Sequence, residues 1–306
     1  MITSTSNQKV RQVVQWQTKA KERRKAGIFL AEGFKMLEEA PEDWIQEIYL
    51  SRDCLDKAKE NTFIWKKLLQ KGYETVSEEV FRKMSDTQTP QGALTVLKRP
   101  EYRLEELLKQ NKPLFAVLED LQDPGNLGTI IRTGEGAGIT GVIMSAQTVD
   151  IFNPKVIRAT MGSIYRVPFV YVESVTETIK NMQKAGIHTY AAHLKGEKYY
   201  DSFSFGEPTA FLIGNEGNGL KKETADMADF YLKIPMEGKV ESLNAAIATA
   251  PLMYEAYRQS QTGGSENENR FDRFGYYGIS HDRRYAAKRR GYTGGYYRFS
   301  KDRKDT

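Results

Sequence analysis

The stretch IPMEGKVESLNAAIATA, residues 234–250, decides how the second half of this chain is interpreted. A polar, glycine-bearing loop lies between the strand-like FYLKIP and an alanine-rich segment typical of a helix. Such a loop presents free backbone N–H groups where the helix begins, which suits a ligand. Two earlier stretches repeat the order of strand, Gly/Asn loop and helix: LEDLQDPGNLGTIIRTGEGAG, residues 118–138, and AFLIGNEGNGL, residues 210–220. We expect the three loops to converge on one site.

The second half of the chain alternates short apolar strands with helical segments. The strands are PLFAVLED, GVIMSA, VPFVYV, IHTYAAH, TAFLIG and FYLKIP. Continuous apolar runs such as PLFAVLED are typical of strands buried on both faces, as in parallel sheets. The alternation predicts an α/β fold with a parallel sheet whose ligand loops lie at the carboxyl ends of the strands.

The first 100 residues show a separate alternation of short strands and helices, beginning with IFLAEG and FKMLEEA and ending with GALTVLKR. This pattern predicts a small α/β domain, followed by the linker-like KRPEYR. We therefore expect a substrate-binding domain over residues 1–100, a larger domain over residues 101–260 and a tail over residues 261–306.

The tail carries the excess charge of the chain. It holds 11 Lys/Arg and 6 Asp/Glu, a net charge of +5, which equals that of all 306 residues. Nine aromatic residues and scattered glycines and arginines leave little aliphatic material for a core, so we expect disorder in the free protein. Arginine and exposed rings suit RNA phosphates and bases, although a purely solubilising tail is the alternative.

Composition excludes several classes of protein. A single cysteine, Cys54, excludes an internal disulfide, and three histidines do not form a metal-ligand pattern, so we expect no metal. No apolar run is long enough to span a membrane and the amino-terminal residues do not resemble a signal peptide, so we expect a cytoplasmic protein. The first 25 residues are basic, either as a polyanion-binding helix or as a solvated one.

The glycines of GEGAG, residues 134–138, suggest a dinucleotide-binding loop at first sight. That loop requires glycines directly between a strand and a helix. Here the strand ends near Glu119, and NLGTIIRT comes before the glycines as the predicted helix itself. A nicotinamide-dependent dehydrogenase is therefore a distant alternative.

The first of the three loops contains two candidate functional residues. Asp123, Pro124 and Gly125 are typical of a turn, and Asn126 is predicted to cap a helix from Leu127. Arg132 follows six residues later, about 9 Å along a helix axis. Capping alone would explain Asn126, and a surface salt bridge would explain Arg132.

The three loops together closely resemble the motifs of the SpoU/TrmH family of SPOUT RNA methyltransferases. NLGTIIRT from Asn126 is similar to the first motif, IGNEGNGL from Ile213 to the second, and IPMEGKVESLNAAIA from Ile234 to the third. FLAEG and SDTQTPQGALTVL also look like the substrate-binding domain that often precedes the catalytic domain in this family. The resemblance covers about residues 7–259.

The resemblance implies a sheet with a trefoil knot, a homodimer with the site near the subunit interface, and S-adenosylmethionine as cofactor. It implies 2′-O-methylation of a ribose in ribosomal or transfer RNA. The implied catalytic residues are Arg132, Asn126, Glu216, Ser242 and Asn244. The implied cofactor-binding residues are Leu212, Ile213, Gly214, Asn215, Gly217, Gly219, Ile234, Pro235, Met236, Ser242, Leu243 and Asn244.

Physical chemistry gives these residues plausible roles. Glycines at 214, 217 and 219 would leave room for adenosine beside the backbone, with turn geometry as the alternative explanation. Ile234 and Met236 would line the adenine pocket and Leu243 would close it, with core packing as the alternative. A guanidinium keeps its proton, so we expect Arg132 to act as an electrostatic clamp on the target phosphate rather than as a base. We expect Asn126 and Asn244 to fix Arg132 or the ribose, Ser242 to support the loop, and Glu216 to orient its motif or relay charge.

The substrate and the final helix are the least determined points. A separate amino-terminal domain and a basic tail favour a large RNA, so we prefer 23S ribosomal RNA to transfer RNA. A non-catalytic RNA-binding or ribosome-assembly protein is the competing class. Ala245 and Ala246 stand where the family commonly has Val-Ser, and Pro251 removes a helix hydrogen bond, which puts the family's dimer geometry in doubt.

Overall fold

Four strands form a sheet in the first 100 residues of the protein. The computed structural model describes residues 1–237, 239 and 242–262. The strands are β1 (Ile28–Glu32), β2 (Ile45–Ser51), β3 (Glu74–Val76) and β4 (Ala93–Lys98). They lie in the order β1-β4-β2-β3, with β4 antiparallel to both neighbours and β3 parallel to β2. The predicted alternation of strands and helices is present here.

Helices cover this first sheet. They are α1 (Gln8–Thr18), α2 (Ala20–Ala26), α3 (Phe34–Glu39), α4 (Leu55–Glu60), α5 (Thr62–Lys71) and α6 (Glu78–Met84). The basic helix expected within the first 25 residues is divided into α1 and α2, because Lys19 has the extended angles φ −121° and ψ 106°. Asn7 and Ser77 cap α1 and α6 through their side chains, as their residue types favour.

A second sheet of seven strands occupies the rest of the described chain. Its strands are β5 (Leu114–Leu118), β6 (Gly141–Ser145), β7 (Phe169–Val172), β8 (His188–Ala192), β9 (Lys198–Tyr199), β10 (Thr209–Ile213) and β11 (Phe230–Lys233). They lie in the order β7-β6-β5-β10-β8-β11-β9, and every pairing is parallel. The predicted parallel α/β fold is therefore confirmed.

Helices pack on both faces of the second sheet. They are α7 (Leu104–Leu108), α8 (Pro124–Gly136), α9 (Pro154–Thr160), α10 (Val175–Lys184), α11 (Lys222–Asp226) and α12 (Ala245–Thr262). Sequence reasoning missed α9, although Asn153 before Pro154 is a helix-start signal. It also missed β9, because two residues show no periodicity. Helix α12 continues through Pro251 without a break in its assignment.

Strand β5 shows why its sequence is continuously apolar. Leu114, Ala116 and Leu118 belong to one hydrophobic cluster, whereas Phe115 and Val117 belong to the cluster on the opposite face. Successive side chains of a strand point to opposite faces, so both faces of β5 are buried. This central position places the end of β5 in the middle of the sheet's carboxyl edge.

Strand β11 is inserted between two strands that follow each other in the chain. It pairs with β8 on one side and β9 on the other, and residues 193–197 join those two strands. Gly196 meets the β11 backbone where a Cβ would come within 2.7 Å of the Leu232 carbonyl carbon. A glycine is required there because backbone passes against backbone. The chain after residue 199 therefore returns to place β11 between β8 and β9.

The two sheets are joined by polar and aromatic contacts. Arg23 is 4% exposed and its Nη2 lies 2.7 Å from Oδ2 of Asp150. The rings of Phe29 and Phe152 are 4.9 Å apart. Because Arg23 is buried in this contact, it is not part of the basic surface that the amino-terminal sequence suggested. Our domain boundaries at residues 100 and 260 stay a prediction, and the tail lies outside the described residues, apart from Gln261 and Thr262 at the end of α12.

Candidate active site

The three motif loops emerge at one edge of the second sheet. They follow β5, β10 and β11, and in the sheet β10 lies beside β5, with only β8 between β10 and β11. Since all these strands are parallel, their carboxyl ends share an edge. The predicted convergence of the three loops is therefore present in the fold.

Asn126 does not cap helix α8, which corrects our prediction. The helix begins at Pro124, and its cap is Asp123, whose Oδ1 accepts a hydrogen bond of 2.7 Å from the backbone N–H of Asn126. Proline suits the first helical position because its missing N–H would be unpaired there in any case. Asn126 is thus inside the first turn, and its side chain is available for other contacts.

The side chain of Asn126 links the first motif to the second. Its Nδ2 donates a hydrogen bond of 2.9 Å to Oε1 of Glu216. The backbone N–H of Asp123 donates to the same oxygen at 3.0 Å, and that of Gln122 donates to Oε2 at 3.1 Å. Partial burial raises the pKa of Glu216, but these donors outweigh it and hold the pKa below its ordinary range.

Asn244 joins the third motif to the same arrangement. Its Nδ2 donates a hydrogen bond of 2.8 Å to Oδ1 of Asn126. Its own Oδ1 accepts from the backbone N–H groups of Ala246 at 2.9 Å and Ile247 at 3.3 Å, which caps the start of α12. We call Asn244, Asn126 and Glu216 the polar chain. Through it, one residue from each motif is held in a fixed order of donors and acceptors.

Arg132 lies on α8 outside the polar chain. Its side chain is exposed, and within the described residues it makes no hydrogen bond or ion pair. Neither Asn126 nor Asn244 bonds to it there, so of the two expected roles, fixing Arg132 or fixing the ribose, contact with the ribose stays a prediction. Thr129, Arg132 and Gly136 form the exposed face of this helix. The guanidinium is therefore free to meet a ligand.

The glycine loop after β10 is tight for internal reasons. A Cβ on Gly214 would overlap the backbone of Gly219 and Leu220, and Gly219 has φ +67°. Asn215 closes the loop by pairing with Gly219 and by accepting at Oδ1 from the N–H of Gly217 at 2.9 Å. The turn itself thus requires Gly214 and Gly219, whereas Gly217 is exposed and unobstructed.

The apolar candidates divide into core and surface residues. Leu212 and Ile213 are 0% and 3% exposed within β10, so only their backbone can face a ligand. Ile234 and Met236 are half-buried, and Leu243 is 38% exposed. Pro235 is also exposed. Together they leave an apolar surface beside the glycine loop.

Ser242 is not brought into the polar chain. It is exposed and makes no hydrogen bond within the part of the chain that the structure describes. Residues 238, 240 and 241, which complete the third motif, lie outside the described residues. A supporting role of Ser242 in this loop stays a prediction.

Sequence reasoning missed Asp120, which supports the loop that holds Glu216. Asp120 has the left-handed φ of +55°, which is uncommon for a residue with a side chain. Its carboxylate lies 2.7 Å from Nζ of Lys221 and accepts a bond of 2.7 Å from Oγ of Ser145. Its carbonyl accepts from Nδ2 of Asn215 at 2.8 Å. The bond from Lys221 holds the pKa of Asp120 below its ordinary range.

Two other classes of site find no basis in the geometry. Gly134 and Gly136 lie inside α8 and not in a turn between strand and helix, which removes the dinucleotide-loop interpretation. Among the described residues, no three His, Cys, Asp or Glu side chains are grouped as a metal site would require. In the same residues, no helix has both the length and the apolar character to cross a membrane.

Comparison with known proteins agrees with this geometry. The model of the SpoU rRNA Methylase family matches residues 113–254. The 23S rRNA (guanosine(2553)-2′-O)-methyltransferase RlmP of Bacillus subtilis is 34% identical over 255 residues, which cover 83% of this chain and 97% of that protein. The chain belongs to the SpoU methyltransferase family. The model of an MRM3-like substrate binding domain matches residues 7–95, in front of the SpoU region.

Solved SpoU structures share the fold over most of the chain. The AdoMet-bound rRNA methyltransferase from Sinorhizobium meliloti is 30% identical, with a TM-score of 0.74, and the match covers 84% of this chain and 97% of that one. The AdoMet complex of the SpoU methyltransferase AviRb from Streptomyces viridochromogenes is 26% identical, with a TM-score of 0.72 and coverage of 84% and 100%. The SPOUT-type fold class predicted from the motifs is therefore confirmed.

Proposed function

We propose that this protein transfers a methyl group from S-adenosylmethionine to the 2′-hydroxyl of a ribose in structured RNA, with 23S ribosomal RNA as substrate. The polar chain carries the proposal, because hydrogen bonds of 2.8 and 2.9 Å join the three family motifs at one edge of the sheet. The Bacillus subtilis relative is a 23S rRNA methyltransferase, which supports ribosomal RNA as the substrate.

The site residues fit the proposed cofactor. Ile234, Met236 and Leu243 offer an incompletely buried apolar surface suited to an adenine ring, and the exposed loop at Gly217 offers backbone carbonyl groups. When bound, S-adenosylmethionine supplies an electrophilic methyl group on sulfonium. The proposed binding set is completed by backbone groups and by two polar side chains. The backbone groups are those of Leu212, Ile213, Gly214, Asn215, Gly219 and Pro235, and the side chains are those of Ser242 and Asn244.

Arg132 is proposed as the residue that acts on the RNA. A guanidinium keeps its proton, so its chemistry is to bind the phosphate beside the target ribose and to stabilise negative charge on the attacking oxygen. Its exposure, and the lack of a partner for its side chain among the described residues, support this role. Asn244 donates a hydrogen bond to Asn126, and Asn126 donates one to Glu216. We therefore assign Asn126 and Asn244 to holding the three motif loops in fixed relative positions. Positioning of this kind supplies much of the rate in methyl transfer.

A homodimer completes the proposal. Exposed apolar side chains recur along one face of α12: Ile247 is 58% exposed, Tyr254 is 47% exposed and Tyr257 is 36% exposed. Tyr254 also packs over Gly136 on the exposed face of α8 that carries Arg132. A second copy covering this face would lie beside Arg132. We expect Ile247→Asp to give a monomer in analytical ultracentrifugation.

Two measurements test the proposed function. Titration calorimetry with S-adenosylmethionine should show binding to the full chain. Mapping of 2′-O-methylation across total RNA, with and without the gene, should show one ribosomal position that depends on it. A site in transfer RNA would correct the substrate, and a folded protein that binds no cofactor would favour the RNA-binding scaffold instead.

A knotted chain, a cytoplasmic location and an RNA-binding tail are also part of the proposal. The position of β11 between β8 and β9 supports a knotted chain. We place the protein in the cytoplasm with its RNA. We also expect removal of residues after 259 to weaken RNA binding and its salt dependence while cofactor binding stays unchanged.

A further inference from the structure

Residues 193–199, which we call the crossing segment, lie between the two proposed cofactor loops. They follow β8, whose neighbours in the sheet are β10 on one side and β11 on the other. The carboxyl ends of those neighbours lead into the second and third motifs. The crossing segment therefore borders both motifs, although its own sequence, HLKGEKY, matches none of them.

The crossing segment is anchored through its backbone. The N–H of His193 donates to the carbonyl of Leu232 at 3.0 Å, and the N–H of Gly196 donates to the carbonyl of His193 at 3.0 Å. Tyr199 then pairs in register with Lys233, the last residue of β11. Side chains on this segment are consequently displayed from fixed positions beside Ile234 and the third motif.

The exposed side chains of the segment are two large apolar or aromatic groups, two lysines and one carboxylate, that of Glu197. Leu194 is 56% exposed and Tyr199 is 50% exposed. Lys195 and Lys198 are exposed and have no ion pair or hydrogen bond from their side chains within the described residues. By comparison, Lys221 and Lys222, which follow the second motif, are paired with Asp120 and Asp226. Free ammonium groups beside an exposed ring match the phosphates and bases of single-stranded RNA.

We propose that the crossing segment binds the RNA strand next to the target nucleotide, with Tyr199 stacked on a base and Lys195 and Lys198 contacting phosphates. This inference rests on the proposed function, because it takes the target ribose to lie at the same edge. Arg132 would hold the target phosphate itself, and the crossing segment would hold the flanking strand. Two contacts on one strand would fix the direction in which the RNA enters the site.

The proposal is tested with charge and ring variants of the full chain. The double variant Lys195→Ala/Lys198→Ala is compared with Lys180→Ala/Lys184→Ala, which removes the same charge from α10, the helix that leads to the amino end of β8. Tyr199→Ala is compared with Tyr199→Phe, which keeps the ring. Each protein is titrated against a fluorescein-labelled oligouridine of about 20 nucleotides at several salt concentrations, and cofactor binding is measured by calorimetry.

The crossing-segment variants should weaken oligouridine binding about 10-fold. In a plot of log affinity against log salt concentration, the double lysine variant should reduce the magnitude of the slope by about 1.4, because each phosphate contact of a single strand contributes about 0.7. The α10 pair and Tyr199→Phe should behave as wild type. With ribosomal RNA from the deletion strain, KM should rise while kcat at saturating RNA stays within about two-fold.

Equal RNA affinity and equal salt slopes in both lysine pairs would overturn the proposal, and the exposed patch would then be a surface for a protein partner. Failure of the proposed function is a separate result, because it would appear as absent cofactor binding in the wild-type protein. Cofactor affinity unchanged in every variant is the expected control.

Discussion

The polar chain and Arg132 lie at the same edge of the sheet but are built in opposite ways. Glu216 accepts hydrogen bonds from Gln122, Asp123 and Asn126, and Asn126 in turn accepts one from Asn244. Arg132 is exposed and unpaired among the described residues. Side chains that bond to one another, as in the polar chain, fix the relative positions of the motif loops. An unpaired guanidinium, as on Arg132, is available to bind a phosphate of RNA. The difference separates residues that hold the site from the residue that acts on RNA.

Arg132→Ala gives the largest expected effect on activity. Loss of a preorganised charge at the reacting oxygen should lower methylation about 10²- to 10³-fold. Because the side chain is exposed and unpaired, the free energy of unfolding should change by less than about 0.5 kcal/mol. Cofactor affinity by calorimetry should be retained, and unchanged turnover would remove Arg132 from the mechanism. Arg132→Lys is the matched control, since it keeps the charge but loses the planar fork.

Glu216→Gln should affect the polar chain through both stability and activity. The amide group would bring an N–H against at least one of the present donors, and because Glu216 is exposed and water can reach that donor, the loss should be about 0.5–1.5 kcal/mol. Urea unfolding should show that loss, together with weaker cofactor binding. Glu173, which directly follows β7, is also an exposed carboxylate, and Glu173→Gln serves as the control for charge alone. Equal stability of the two variants would contradict a structural role for Glu216.

Two substitutions of Asp120 separate the effect of its side-chain bonds from the effect of its left-handed backbone conformation. Asp120→Ala removes the bonds to Lys221 and Ser145 but keeps a Cβ at φ +55°, whereas Asp120→Gly loses the same bonds without that strain. A left-handed conformation costs a non-glycine residue about 1–2 kcal/mol, so the glycine variant should be about 1 kcal/mol more stable than the alanine variant. Thermal unfolding of both variants measures the difference, and a more stable alanine variant would show that strain is absent there.

Lowering the pH should reduce the contribution of the polar chain to the free energy of unfolding, and this is the smallest effect that we expect. The folded-state pKa of Glu216 lies below its ordinary value of 4.5, so its contribution to stability is fully present above that value and is lost as pH falls through the folded pKa. The stability difference between wild type and Glu216→Gln should therefore stay constant from pH 7 to about pH 5.5 and shrink below about pH 4.5. Urea unfolding across this range measures it, and a difference that grows in acid would reverse the assigned sign.

The sequence alone determined the strands other than β9, the parallel α/β class and the family. Apolar runs such as Leu114–Leu118 are long enough to report burial on both faces, and the three motifs are specific because they occur together and in order. Composition also located the excess charge in the last 46 residues, 261–306. These features are local, so they can be read without knowing which residues meet in space.

Only the tertiary structure decided how the site is connected. Asn126 and Glu216 are 90 residues apart in the chain, and Asn126 and Asn244 are 118 apart, so no periodicity could pair them. The left-handed Asp120 and the buried Arg23 depend in the same way on partners supplied by distant segments. The position of the crossing segment depends on β11 lying between β8 and β9. Strand order and long-range hydrogen bonds are properties of the folded chain, because they arise only when separate strands share one sheet.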